Sequence, residues 1–387
     1  MECVARAVAD CGVVGELRNA RLIYLALTSR VLKEPVSLVM KGCSSSGKSF
    51  TTETVLKLFP PAAYISMTAM SERALVYSKE TFAHRTLVIF EAVALREQRE
   101  KSESNLTAYF LRSLLSEGRI SYPVTVRDKK EGFITKTIVK EGPTNVILTT
   151  TATELHGENE TRLISVPTND SQAQTAAVLL RLAEAPSVDI NFAEWHKLQK
   201  WIGEAEHRVV IPYAKYVAAR VPPVAVRLRR DFKAILRLIE THAILHQLNR
   251  ERDSSGRIVA EAADYYAVRE LLADLIAEGV GATVPPSVRE TVDAIRALDV
   301  GEGVTVKGVA ERLKLDRSAT QRRLQTARER GYLVNQEDKR GRPARYTLGD
   351  ALPDELELLP NALSEEGVQV CSDSEGIYMR AESWLDL

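Results

Sequence analysis

Apolar positions along the chain change period several times, and each change marks an element. From about Gly15 to Val31, residues Leu17, Ala20, Leu22, Leu25 and Leu27 fall at helical spacing. Pro35 closes that stretch, and Val36-Ser37-Leu38-Val39-Met40 reads as a short buried strand. Lys48 to Phe59 is helical again and stops at Pro60-Pro61. Leu87-Val88-Ile89-Phe90 predicts a second buried strand, and Leu106 to Glu117 a helix ended by Gly118. Ile120–Val126 and Phe133–Val139 predict a hairpin (about 119–140) around the tip Arg127-Asp128-Lys129-Lys130-Glu131-Gly132. Pro123, which has no N–H to donate, confines its strand to an edge or bulge. Asn145-Val146-Ile147-Leu148 is a further buried strand. Strands alternating with helices predict a parallel α/β sheet.

From about Gln172 to Gly279 the pattern is almost wholly helical. It is punctuated by Pro222-Pro223 and carries a long amphipathic stretch from Val226 to Asn249. Gly279 to Pro286 reads as a linker. A compact basic unit follows: a helix over Val288–Leu298, a short strand and helix over Val304–Leu315, and a turn at Asp316-Arg317-Ser318. A further helix ends near Arg330-Gly331, and Tyr332-Leu333-Val334 with Arg345-Tyr346-Thr347-Leu348 forms a two-stranded wing. That order predicts a winged helix-turn-helix. Its second helix would enter the major groove with Arg317, Thr320, Gln321, Arg322 and Arg323 leading. Lys339, Arg340 and Arg342 on the wing suit phosphate contact. The alternative, a winged helix used for protein contacts, is opposed by the density of Arg.

Composition narrows the class without choosing a function. The chain has 387 residues, enough for two or three domains, and its 52 basic and 52 acidic residues cancel. The zero total hides an asymmetry, because Arg and Lys crowd Arg289–Arg345 while Asp350–Leu387 carries about ten acids and one Arg. A neutral total therefore does not argue against nucleic acid. Cys3, Cys11, Cys43 and Cys371 are scattered and fit neither a zinc site nor a disulfide framework. The start, MECVARAVADCG, lacks a secretory pattern and no apolar run is long enough to span a bilayer. The expected setting is the cytoplasm, with no membrane partner. His242 and His246 lie one turn apart with no third ligand nearby and read as ordinary helix residues.

Chemistry enters at Gly42-Cys43-Ser44-Ser45-Ser46-Gly47-Lys48-Ser49, which matches G-x-x-x-x-G-K-[ST] between a buried strand and a helix. Glycines let successive backbone N–H groups face phosphates, and the helix N-terminus adds favourable potential. Gly42, Ser44, Ser45, Ser46, Gly47, Lys48, Ser49 and Phe50 are the candidates for holding ATP. Lys48 would reach the β and γ phosphates and Ser49 would ligand Mg²⁺. Glu91, at the end of an apolar strand, is the second candidate on the metal side. Phe90 stands where the usual first carboxylate would be, so a single acid leaves hydrolysis less supported than binding.

This order of elements resembles the AAA+ ATPases, in the branch with a hairpin inserted before the first sensor strand. That branch includes the minichromosome-maintenance helicases, small viral replicative helicases and bacterial enhancer-binding activators. Leu114-Leu115-Ser116-Glu117-Gly118-Arg119-Ile120 is similar to its helix-to-hairpin junction. The resemblance implies that Arg127, Lys129 and Lys130 on the hairpin tip grip DNA. It implies that Thr150 or Thr151, where Asn is commoner, touches the γ phosphate, and that Arg162 is an arginine finger presented to a neighbouring subunit. Arg230-Asp231-Phe232-Lys233-Ala234 resembles the lid of minichromosome-maintenance helicases, which makes Arg230 the second sensor with Arg227 and Arg229 as competitors. The N-terminal collar of the large helicases, the Gly-Ala-Phe-Thr-Gly-Ala loop of the activators and any primase motif are not visible.

The expected organisation is an AAA+ three-layer α/β core over 1–171, a helical lid over 172–280, a winged helix over 287–349 and an acidic tail over 350–387. The expected function is an ATP-dependent DNA motor, a helicase or replication initiator of a phage or mobile element, working as a homo-oligomeric ring with shared ATP sites. Two alternatives stay open: an ATP-switched DNA-binding regulator, and a loader or adaptor that delivers another helicase to an origin; other replication proteins are candidate partners.

Overall fold

The computed structural model describes residues 1–68, 71, 73–91, 106–128, 132–152, 161–184, 190–337, 342–353 and 356–363. Two compact units divide the chain. One gathers Met1–Ala218, Arg229–Leu275 and the stretch from Ala362; the other takes Ala219–Leu228 and Ile276–Asn361.

The first unit is built on five parallel strands: β1 (Leu38–Lys41), β2 (Tyr64–Met67), β3 (Arg85–Ile89), β6 (Thr144–Thr150) and β7 (Ile164–Pro167). They lie in the order β2-β3-β6-β1-β7. Leu38, Val39 and Met40 are buried, as are Leu87, Val88 and all seven residues of β6, because helices cover both faces of such a sheet. Pairing runs Leu38↔Ile147 on one side of β1 and Leu38↔Ile164 on the other, so all five strands begin at one rim and end at the opposite one. Whatever directly follows β1, β3, β6 or β7 therefore lies at the carboxyl rim. Whatever directly precedes them lies at the amino rim.

Helix α1 (Glu2–Asp10) packs Val4, Ala5 and Val8 inward beside α2 (Leu17–Thr28), and α3 (Lys48–Leu56) opens directly after the loop that ends β1. A single turn, α4 (Ala74–Tyr77), precedes β3. Helix α5 (Leu106–Glu117) buries Phe110, Leu111 and Leu114 in the cluster that also holds Leu87, Val146 and Leu148. It stops at Gly118, whose φ of 71° is one that glycine adopts without a steric penalty. There the chain enters the hairpin β4 (Arg119–Asp128) and β5 (Gly132–Glu141). Phe110 meets Tyr122 edge-on at 5.1 Å between ring centroids and anchors the hairpin base. Pro123 pairs with Thr137 in this two-stranded ribbon, where either strand is an edge.

The tract expected to be almost wholly helical contains α6 (Gln172–Glu184), α7 (Ala193–Glu204), α8 (Ala214–Arg220), α9 (Leu228–Leu245) and α10 (Ala262–Gly281). Two short parallel strands, β8 (Val209–Val210) and β9 (Ile258–Val259), interrupt it. The linker expected from Gly279 is shorter than that, because α10 continues to Gly281. His242 is buried on α9, and its Nδ1 lies 2.6 Å from Asp264 Oδ1 on α10. Arg250 donates to both oxygens of Asp264, at 2.8 and 3.0 Å.

In the second unit, α11 (Pro286–Leu298), β10 (Val304–Thr305), α12 (Val306–Leu313), α13 (Arg317–Glu329), β11 (Leu333–Asn335) and β12 (Arg345–Leu348) form a winged helix. Val288, Val292, Ile295, Val309, Leu324 and Leu333 make its core. The Thr305 side chain caps α12 by accepting from Gly308 N–H, and the Asp316 side chain caps α13 by accepting from Ala319 N–H. The three strands pair in the order β10-β12-β11.

Candidate functional site

At the carboxyl rim the chain leaves β1 and turns through Ser45, at φ 66°, and Gly47, at φ 84°, before α3 begins at Lys48. Gly42 has no room for a side chain: a Cβ there would lie 2.0 Å from Thr168 Oγ1 and 2.7 Å from Ser46 Oγ. The Lys48 ammonium is buried and donates to Gly42 O at 2.9 Å, Cys43 O at 2.5 Å and Ser46 Oγ at 3.3 Å. Burial lowers its pKa, while Cys43 and the Glu91 carboxylate oppose that shift. Ser44 and Ser45 are exposed and Ser49 is half-buried. Phe50, proposed to contact nucleotide, is half exposed, and its ring edge lies beside Gly12.

Glu91 follows β3 at the same rim with φ 51°, an uncommon conformation for a non-glycine residue. Its N–H donates to Thr149 Oγ1 at 3.0 Å. Thr150 is buried and accepts from Ala152 N–H at 3.0 Å, whereas Thr151 is exposed. Sequence reasoning passed over two residues here. Thr149 orients the backbone at Glu91, and Thr168, just after β7, reaches Ser46 Oγ at 2.8 Å and Lys41 O at 3.2 Å. The available signal was simple, since each is a hydroxyl at the carboxyl end of a core strand.

Arg162 and Arg230 lie at the other rim. Arg162 Nε donates to Ser116 Oγ at 2.6 Å, and Arg230 Nη1 donates to Thr161 Oγ1. They line a cavity of about 600 Å³ together with Glu34, Lys233 and Arg237. Glu34 accepts from Lys233 and from Arg237, each at 2.6 Å, and the Lys233 bond is the main cause of its lowered pKa. The length of β1 alone, roughly 13 Å at 3.3 Å per residue, separates this rim from the P-loop. The fold thus brings Lys48, Ser49 and Glu91 to one rim and Arg162 with Arg230 to the other. Arg227 lies elsewhere, against Gly279 in the second unit.

On the hairpin, exposed Arg127 stands directly across from Phe133, which is 80% exposed. Lys129 and Lys130 fall outside the described residues. On the winged helix, Arg317, Gln321 and Arg322 are exposed along α13. Two other candidates are already engaged within the unit. Thr320 is fully buried with Oγ1 on Asp316 O, which corrects its expected place on the reading face. Arg323 Nη1 is held by Glu290 at 2.7 Å. Arg342 lies 3.6 Å from Glu337. Lys339 and Arg340 fall outside the described residues.

Comparison with known proteins agrees with both halves of this description. Residues 9–194 match the family model described as the MTBMA_p00010 P-loop domain, and residues 285–342 match that of the MarR family. The chain carries a P-loop domain and a MarR-type winged helix. No curated protein matches the chain. This pairing is consistent with a nucleotide-driven DNA-binding protein. Among the described residues no helix is long and apolar enough to cross a membrane.

The P-loop domain suits a nucleotide with Mg²⁺. Ser49 and Glu91 are the oxygen-bearing side chains expected on the metal side, and both lie at the carboxyl rim; Mg²⁺ takes few protein oxygens and completes its shell with water and phosphate. No cluster of three metal-ligating side chains occurs among the described residues. Gly42→Ala should abolish ATP-dependent thermal stabilisation and also lower the melting temperature without nucleotide, because the added methyl displaces Thr168 Oγ1 and Ser46 Oγ from the hydrogen bonds that hold the loop. For the MarR-type winged helix, we expect Arg322→Ala to reduce the slope of log K against log salt by about one if Arg322 contacts phosphate. Arg323→Ala, already paired to Glu290, should leave that slope unchanged; fluorescence anisotropy with duplex DNA across a salt series reads both.

Proposed function

We propose that this protein is an ATP-hydrolysing DNA motor of the AAA+ type, a helicase or replication initiator whose catalytic sites are shared between copies of the chain. Lys48 and Ser49 bind the phosphates and Mg²⁺, Glu91 orients the attacking water, and Thr151 or its neighbours sense the γ phosphate. The neighbouring copy supplies Arg162 as the finger and Arg230 as second sensor. The observation that carries the reading is the sidedness of the parallel sheet. Both arginines stand at the amino rim, so they reach a nucleotide at the carboxyl rim of another copy and not of their own. An arginine aimed at a transferring phosphoryl group stabilises charge that develops only in the transition state. The strand order β2-β3-β6-β1-β7, with a hairpin inserted between β3 and β6, supports the pre-sensor hairpin branch, and Arg127 on that hairpin suits a DNA phosphate.

Steady-state ATP hydrolysis with and without single-stranded DNA tests the reading. Lys48→Ala and Arg162→Ala should each abolish DNA-stimulated turnover, and mixing the two should restore part of it, since some mixed sites are intact. Nucleotide binding without turnover under every condition would overturn the motor. It would leave a second reading, an ATP-switched DNA-binding regulator, which the lone acid Glu91 and the MarR-type winged helix favour.

A further inference from the structure

A second recess, of about 590 Å³, opens in the first unit between α7 and the segments that precede β2 and β3. Its floor is apolar, formed by Val31, Pro60, Ala62 and Ala63, and its walls carry Arg30, His84, His196, Lys200 and His207. Glu204 is the one carboxylate in its lining among the described residues. Arg30 is 5% exposed and lies over the Phe59 ring. It donates to Leu27 O and to the side chain and carbonyl of Gln199, with no carboxylate among those partners. A buried guanidinium held only by neutral groups is costly and attracts an anion. Burial accordingly pulls its pKa down to about 10.

The three histidines are each fixed on one nitrogen by a backbone carbonyl: His84 Nδ1 by Arg30 O at 2.9 Å, His196 Nε2 by Lys57 O at 2.9 Å and His207 Nε2 by Ile202 O at 2.5 Å. In each ring that contact takes the N–H of the neutral form, so the other nitrogen donates to an anion only when the ring carries its second proton. Among the described residues they belong to no group of three metal-ligating side chains, and the Arg30 and Lys200 cations of the lining suit an anion. The apolar floor selects further, because a bare phosphate would leave it unused while a peptide mixing acidic and apolar side chains would cover both surfaces.

We propose that this recess binds the acidic C-terminal segment of the chain itself, residues 364–387, and so gives that segment a docking site on the P-loop domain. Charge and side-chain type are complementary. Glu375, Glu382 and Asp386 match the basic wall, while Ile377, Tyr378, Trp384 and Leu385 between them match the apolar floor. The chain leaves the described residues from the same unit, where Leu363 N–H donates to Tyr266 Oη at 2.9 Å. From there an extended segment of this length spans ~80 Å, enough to reach anywhere on a unit of this size. Lys200 makes no ion pair among the described residues, whereas Lys197 is already engaged by Glu194 at 2.9 Å. Lys200 is therefore the cation that meets the acids.

Photo-cross-linking in the full-length chain tests this, with a photoreactive phenylalanine analogue in place of Trp384 and the products mapped by mass spectrometry. Cross-links should fall on residues 60–63 and 196–207, and they should weaken as salt is raised. Lys200→Glu and Glu382→Lys should each lose them, and the double variant should recover them. Glu382→Lys leaves every residue of the recess as it is, so its effect is not explained by damage to the recess itself. Cross-links on the exposed Leu179, Leu180 and Leu182 of α6, on the winged helix, or nowhere would overturn the proposal. So would a pattern indifferent to both charge reversals.

Discussion

Arg162→Ala should bind ATP as tightly as the parent chain and turn it over roughly a thousandfold more slowly, the lower end of the range for a lost arginine finger. Affinity is preserved because Lys48, Ser49 and the loop amides, all at the carboxyl rim, are untouched. The guanidinium donates to Ser116 Oγ at 2.6 Å, a hydrogen bond to a neutral hydroxyl whose loss should cost little stability. Lys48→Ala differs in kind, because on the proposed reading it removes a phosphate contact and should weaken nucleotide binding as well as turnover. A fluorescent ATP analogue in equilibrium titrations, beside steady-state turnover, separates the two. An Arg162→Ala chain with unchanged turnover would remove the finger role and the shared site with it.

Asp264→Ala should destabilise the first unit by about 3–5 kcal/mol, the usual cost of breaking a buried pair and stranding the partner charge. The Asp264 side chain is fully buried and holds Arg250 through two hydrogen bonds, His242 through one and the Glu261 N–H through another. Burial raises its pKa, but the hydrogen bonds from His242 and Arg250 outweigh that and leave the carboxyl below its ordinary value. A lowered carboxyl pKa means stability that is present above the unfolded value of 3.8 and lost as pH falls through the folded one. The variant should melt early at neutral pH and lose that acid-side dependence. Thermal unfolding at pH 7 and in a series descending below pH 3.8 measures both, and an unchanged melting point at pH 7 would show that the network carries no net stability.

Elements written in one stretch of sequence were legible, and those assembled from distant stretches were not. The buried strands β1, β3 and β6 were readable because a sheet covered on both faces demands unbroken apolar runs. Strand β2 went unread because Tyr64-Ile65-Ser66-Met67 is a partly exposed edge with a polar residue inside it. Thr320 looked like a reading residue because it sits on the leading turn of α13, yet with Leu324 and Ala327 it forms the i, i+4, i+7 stripe that faces the core. The Glu34–Lys233–Arg237 cluster joins residues some two hundred positions apart, and no local pattern announces it. The P-loop was legible as a motif, but its reliance on Thr168 becomes visible only once β7 lies beside β1.

The sidedness of the parallel sheet has a genetic consequence on the shared-site reading. A chain damaged at Arg162 keeps its own nucleotide pocket and spoils the pocket of the copy next to it, so the defect is exported. Co-expressed with the intact chain, such an allele should be dominant, and its burden should grow faster than its share of the pool. A loss confined to the winged helix has no such route to its neighbours and should behave as recessive.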